Sequence, residues 1–497
     1  MPTSLNGFTE VLVPFTHRWD GEHHPFTGAA VIDADGDGRP EVFVGGGQGQ
    51  EDALLSYTDG QFKDVIAGTG LSDLSGTHGA TAIDLDEDGD VDLLVARENG
   101  VYLYLNDGGA FTKRLVPLQM PENAVAFDVA VSDFDRDGDA DLYVSLFVDL
   151  KSFRSATYND PEHAKTNILL QNNGDLTFTD VTESARVASR QNTFLSVFLD
   201  LDGDGWQDLV VAQNTGEIEI FRNSGDARFE QVPLAPEYGL GFWMGLAVGD
   251  IDKDGDQDLF FTNVGSSIPS FLTRGDLRDE QIGNLEWLLL RNEGNMQFSD
   301  VTQQYGLTDH GFAWGAVLED LNLDGDLDLL VAQNYIKWPV HKFFKLDGKA
   351  FLQLPAASQP AEKRFFQQES LNLGNPYFGQ SPLVVDFTGD GRPDVLWINM
   401  DGPVRAFANR ETGNFVTVEL PDTISAQGTV VYLETQAGKS YARQLLNSVG
   451  MLTDQSPRLT FGLGDDDQIE AVNVIRPDKS KIRFTNPPLN EIIRVPQ

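Results

Sequence analysis

Apolar residues fall in short runs along this chain, alternating with polar ones and separated by turns rich in glycine, asparagine and aspartate. That pattern predicts β-strands rather than helices. The strands repeat as a unit. An apolar strand (Gly79–Ile83, Leu195–Leu199) leads into an acidic loop, and a second follows it (Leu209–Ala212, Leu329–Ala332). A third runs into a hairpin turn, as in Ile218–Gly225 and Trp287–Gly294, and a fourth reads Phe-x-Asp-Val at Phe62, Phe178 and Phe298. Looser fourth strands are expected near Phe111, Phe229 and Phe351. The last unit has its third strand at Val404–Asn409 and no fourth, whereas Phe8-Thr-Glu-Val11 precedes the first unit. Circular closure by the N-terminal strand resolves both and leaves no open edge.

The loops carry the chemistry. They begin at residues 33, 84, 133, 200, 250, 320 and 386, a base period near 50 with insertions, as expected of propeller blades. Each is nine residues long with glycine at position 6, and their odd positions hold 30 of the chain's 77 acidic residues. The first has Asp33, Asp35, Asp37, Arg39 and Glu41 at those positions, and the second Asp84, Asp86, Asp88, Asp90 and Asp92. The third has Asp133, Asp135, Asp137, Asp139 and Asp141; the fourth has Asp200, Asp202, Asp204, Trp206 and Asp208. The fifth has Asp250, Asp252, Asp254, Asp256 and Asp258; the sixth has Asp320, Asn322, Asp324, Asp326 and Asp328. The seventh has Asp386, Thr388, Asp390, Arg392 and Asp394. Carboxylates at positions 1, 3 and 5 of a tight loop converge, the position-7 carbonyl adds a ligand, and the position-9 carboxylate closes the shell. So many hard oxygens suit Ca²⁺, and up to seven ions are expected. An EF-hand is excluded, because position 12 is apolar in every copy and lies in a strand. Asn322 and Thr388 should weaken loops six and seven.

The expected fold is all-β: a seven-bladed β-propeller over residues 1–412 with N-terminal strand closure, then a small β-domain over 413–497 with strands at Phe415–Leu420, Gly428–Glu434 and Ile469–Ile475. All seven loops should lie at one end of the ring. The long insertions Leu146–Asn167, Val264–Glu286 and Tyr335–Lys345, with the crossover Ala356–Phe378, should lie at the other, where binding surfaces form.

Charge and composition narrow the function. Thirty-five basic against 77 acidic residues leave −42, which opposes nucleic acid and anionic lipid; seven calcium ions would reduce it to −28. The absence of cysteine rules out disulfides, thiolate metal sites and a cysteine nucleophile. No apolar stretch is long enough for a membrane span. The start, Met1-Pro-Thr-Ser-Leu-Asn-Gly7, lacks the features of a secretory leader, so the chain is either cytosolic or trimmed. Calcium loops fill most readily outside the cytosol, which favours an extracellular or periplasmic location.

The aspartate-rich units resemble the FG-GAP/VCBS repeats of integrin-α-like propellers. The tail, through Ser456–Gly464 and Val472–Asp478, is similar to the ASPIC/UnbV domain, with Arg476 and Lys479 at positions where that family usually has tryptophan and glycine. The combination resembles the cartilage acidic protein family and its bacterial relatives over nearly the whole chain. The resemblance implies a calcium-bound, generally secreted protein and no established reaction. A ligand site is expected at the channel mouth away from the calcium loops, from His24, His78, Arg97, Glu98, Trp243, Asn263, Trp314 and Asn334. That mixture suits a polar ligand such as a sugar. Two functions follow: a calcium-stabilised binding or adhesion protein for a protein or glycan partner, monomeric or of undefined oligomeric state, or an enzyme of carbohydrate lyase, hydratase or biosynthetic type at the channel mouth.

Overall fold

The computed structural model describes residues 7–334, 346–354, 366–369, 371–466 and 468–496. The expected insertion Tyr335–Lys345 and most of the first half of Ala356–Phe378 lie outside them.

The chain forms a seven-bladed propeller of antiparallel four-stranded sheets. In blade two the strands Thr77–Ile83, Asp92–Arg97, Gly100–Asp107 and Ala110–Leu115 follow one another from the axis outward. The ring closes as the repeat pattern requires: Phe8–Val11 pairs with Arg405–Asn409, Phe8 opposite Asn409 and Val11 opposite Ala406. Apolar side chains fill the spaces between blades; Ile32, Phe43 and Leu54 of blade one pack against Ala82, Leu93 and Tyr104 of blade two.

Blade six departs from expectation. Phe351 belongs to its third strand, Lys349–Gln353, opposite Leu329, and the fourth strand is Phe366–Glu369. The insertion after the second strand pushes the third strand to where a fourth falls in the shorter blades. Phe351 is 1% exposed, as an interior strand demands.

The tail builds two small sheets around Val416, Val431, Leu433, Phe461 and Val472. One joins Asn414–Glu419 to Arg458–Gly464 and Ile492–Arg494, and the other centres on Val430–Thr435 and Ile469–Ile475. These sheets lie across the acidic loops. Asp422 O accepts from Asp84 N, Leu323 O from Gly464 N, and Gly203 O from Lys479 Nζ, at 2.9–3.0 Å. Arg458 reaches Gly38 O and Asp386, and Lys253 of loop five lies 5.0 Å from the Tyr441 ring.

From this cap the segment 445–455 enters the channel. Thr453–Asp454 adds a parallel strand to Ala29–Ala30 of blade one, and Gly450 exchanges two backbone hydrogen bonds with Leu246 of blade five. Asp454 accepts from Ala82 N at 2.7 Å, and Asn447 Nδ2 donates to Val131 O at 3.1 Å. The inner strands crowd this axis. A Cβ on Gly79, five residues before its motif, would sit 2.4 Å from Phe127 O, and one on Gly28, at the same position of blade one, 2.5 Å from the Gly79 carbonyl carbon.

Candidate functional site

Each acidic loop is wound by the same three hydrogen bonds. The glycine at position 6 donates to the first carboxylate at 2.7–3.1 Å in all seven. Position 7 (Arg39, Asp90, Asp139, Trp206, Asp256, Asp326, Arg392) donates its N–H to the position-5 carboxylate at 2.8–3.1 Å. The position-9 carboxylate accepts from the amide of position 2, or of position 3 in loop seven, at 2.8–3.2 Å.

This winding gathers carboxylates with oxygens to spare for a cation. Three ligand oxygens lie within 4.8 Å of one another in loops one to five: Asp33, Asp35 and Asp37; Asp84, Asp86 and Asp92; Asp133, Asp135 and Asp141; Asp200, Asp202 and Asp208; Asp250, Asp252 and Asp254. The Oδ1 atoms of Asp33, Asp84, Asp135 and Asp200 are buried with no hydrogen-bond donor among the described residues. Burial, and then neighbouring carboxylates, push Asp133 up to about 6, Asp250 to about 7 and Asp141 to about 9. Acceptor-only oxygens held together against their own repulsion fit a hard cation.

Loops six and seven differ. Asn322 Nδ2 donates to Asp324, and Arg392 pairs with Asp390 at 2.6 Å. Arg458, from the tail, pairs with Asp386 at 3.0 Å. In loop seven, two arginines supply positive charge to the clustered carboxylates.

A second role of position 9 was not read from the sequence. Its other oxygen accepts from the backbone N–H of a residue ending the third strand (Asn106, Asn172, Asn223, Asn292, Gln353 or Asn409) at 2.7–3.0 Å. All of these but Asn172 send a side-chain N–H to the position-2 carbonyl of the preceding blade's loop, at 2.8–3.1 Å. Each loop so addressed is riveted to the next blade. In blades two to five, the recurrent asparagine two residues before the hairpin glycine was the available signal.

At the opposite mouth lies a cavity of about 330 Å³. Phe26, Phe147, Phe194, Phe242 and Trp314 come from the blades, and the insertions add Phe153, Ala156, Ile268 and Leu272. Met451 and Leu452, at the tip of the channel segment, join the same apolar cluster as Phe26, Phe194 and Trp314. The mouth is therefore mainly apolar, not the polar surface expected from its sequence.

Of the expected ligand residues, His24 and Trp314 line this cavity. Burial pushes His24 down to about 4, so it is neutral; it donates from Nε2 to Val148 O at 2.9 Å. His78, 6.1 Å from His24 ring to ring, places Nε2 3.1 Å from Glu98 Oε2. Burial pushes the Glu98 carboxyl up, but the hydrogen bond and charge of His78 outweigh it and hold it below its usual range. The others support the blades. Arg97 is fully buried in an ion pair with Asp52 at 2.8 Å, and Trp243 packs on Phe261. Asn263 and Asn334 each donate to a backbone carbonyl, Asn284 O and Tyr377 O, at 3.0 Å.

Residues 33–95, 84–144, 200–261 and 386–433 match the FG-GAP-like repeat family, and 421–497 match ASPIC and UnbV. Mouse cartilage acidic protein 1 is 24% identical over 471 residues, covering 81% of this chain and 70% of that protein. The Xenopus tropicalis protein of the same name is 25% identical over 487 residues, with 81% and 70% covered. Among solved structures, BBS1N from its complex with ARL6DN is 11% identical and covers 82% of this chain and 99% of that one, with a TM-score of 0.48. The exotype rhamnogalacturonan lyase YesX is 12% identical and covers 82% and 76%, with a TM-score of 0.41. With its repeated acidic loops, closed ring and capping tail, the chain carries FG-GAP-like repeats followed by an ASPIC and UnbV domain, and is similar to cartilage acidic protein 1.

Proposed function

We propose that this chain is a calcium-stabilised binding protein, extracellular or periplasmic, that recognises its partner through the face opposite the acidic loops. One observation carries the reading: the C-terminal sheets cover the loop face, while the insertions at 146–167 and 264–286 gather around the other mouth. A surface already covered by the chain's own tail is poorly placed to meet a partner, and elaborate loops on a rigid ring are well placed.

Calcium is the ion of choice because the loops offer several carboxylates on flexible turns without nitrogen or sulfur donors. Its role is structural: it neutralises the clustered charge and ties the strands on either side of each loop. Among the described residues no helix is long and apolar enough to cross a membrane. Millimolar calcium outside the cytosol supports the location.

Thermal unfolding in excess calcium and in excess chelator tests the metal. An ion bound only by the folded state at a hundredfold excess over its Kd adds about 2.7 kcal/mol per site. An unfolding temperature indifferent to chelation would remove the calcium reading. For the face, Phe271→Asp alters a side chain 76% exposed beside the cavity. Binding to arrayed glycans and matrix proteins should be weakened by Phe271→Asp and retained by Asp478→Ala on the tail; the reverse result would refute the assignment of the face.

A further inference from the structure

Building on the recognition face assigned above, we propose that its cavity binds a neutral, largely apolar small molecule, aromatic or polycyclic in shape and carrying a carbonyl-type oxygen, rather than a carbohydrate. The cavity, about 330 Å³, is within the range of small-molecule sites. Aromatic rings dominate its walls. In a chain of net charge −42, none of the described residues lining it is Asp, Glu, Lys or Arg. His24 is neutral there because burial holds its imidazole at about 4. A sugar would bring many hydroxyls to walls that offer few partners, stranding them.

Two donors specify the acceptor. Asn214 is 4% exposed, and its Nδ2 has no acceptor among the described residues; Trp314 Nε1 is likewise buried without one. Both residues line the cavity, with these N–H groups closed to solvent in its wall, so a ligand oxygen meets them only as the two side chains turn toward it. Asn214 contrasts with the amides ending the second strands of later blades. Asn263, Asn334 and Asn399 each donate Nδ2 to a backbone carbonyl at 2.6–3.0 Å. Buried donors are normally paired, so these two are best matched by a ligand that supplies oxygen and no cation. Leu272, 42% exposed, lies on the rim, where an apolar molecule would enter.

The test uses the full calcium-loaded chain and two neutral fluorescent dyes. Nile red carries a ring carbonyl, and N-phenyl-1-naphthylamine has no oxygen. Nile red should bind one to one with blue-shifted emission. Asn214→Leu and Trp314→Phe should each weaken it about tenfold, the loss of one buried hydrogen bond, while naphthylamine affinity stays within about twofold. Leu272→Arg should weaken both dyes, with an unchanged unfolding temperature showing each variant is folded. Non-saturable binding, or binding indifferent to Leu272→Arg, would overturn the site; equal loss of both dyes in the two donor variants would overturn the carbonyl specificity. If a glycan or protein binds this face and Leu272→Arg blocks it while neither dye binds, this inference fails and the recognition face stands. If neither dyes nor partners respond to Leu272→Arg, both fall.

Discussion

Asn223→Ala tests whether the blades are joined through their acidic loops. Asn223 is fully buried. Its Nδ2 donates to Phe134 O in the loop of blade three at 2.8 Å and to Gln207 O at 3.2 Å, and its Oδ1 accepts from Gly225 N at 3.0 Å. Its backbone N–H, bonded to Asp208 at 2.8 Å, survives the substitution. Three side-chain bonds at about 1 kcal/mol each give a loss of about 3 kcal/mol, with the stranded partners tending to raise it. An unfolding entropy of about 2.1 cal/mol/K per residue over 497 residues is about 1 kcal/mol/K, so the midpoint should fall by about 3 °C if the ring unfolds as one unit. Calorimetry in excess calcium reads the shift directly. Asn223→Asp separates bonding from packing, because it keeps the volume but points an oxygen at two carbonyls; it should be at least as damaging as alanine. An alanine variant within half a degree of the parent, or an aspartate variant equal to the parent, would refute the rivet.

Three further outcomes follow from other parts of the molecule. Arg458→Ala removes the counter-charge of Asp386, which is 4% exposed, so it should cost about 3 kcal/mol in chelator and less in calcium, read as the difference between two denaturant curves. In loop three, burial raises Asp133 to about 6 and Asp141 to about 9 from 3.8. The folded, chelated protein therefore holds protons that the unfolded chain gives up. Their stabilisation is complete below about pH 4 and is lost as pH rises through about 6 to 9. Calcium requires the ionised form, so its affinity should rise over the same interval, and the unfolding gap between calcium and chelator should widen with pH. Gly79→Ala should destabilise strongly, since its Cβ would meet Phe127 O at 2.4 Å, whereas Gly374→Ala, with open space around it, should be nearly silent in thermal unfolding.

The ring was readable because its signal is local and repeated. Glycine at position 6 and aspartates at odd spacing fix a loop, period-two strands flank it, and seven copies count the blades. The final strand was found by a deficit at one end matching a surplus at the other. Phe351 misled because residue spacing alone does not say which strand an aromatic belongs to once an insertion intervenes. The tail's destination was hidden for a different reason. Nothing in Ser448-Val-Gly-Met-Leu452 marks it as a channel filler; its partners are backbone groups of Val129, Leu246 and Ala29, far away in sequence. The glycines at 28, 79, 245 and 315, each five residues before a motif, were the visible half of that arrangement. The polar reading of the mouth failed similarly. Arg97, Asn263 and Asn334 lie at the ends of their strands as expected, but their polar atoms serve Asp52 and neighbouring carbonyls, and aromatic rings from the blades and the insertions line the cavity.

The pairing of Phe8 with Asn409 also sets a timetable for biosynthesis. A nascent chain makes Phe8–Val11 about four hundred residues before its partner, an interval of about 20–80 s at ordinary translation rates. Throughout it, the first-made strand is an orphan and the ring a gapped arc, available to chaperones and to other copies emerging nearby. A chain threaded across a membrane pore as it is synthesised would cross before the two strands have met, so assembly of the circle would fall to the far side.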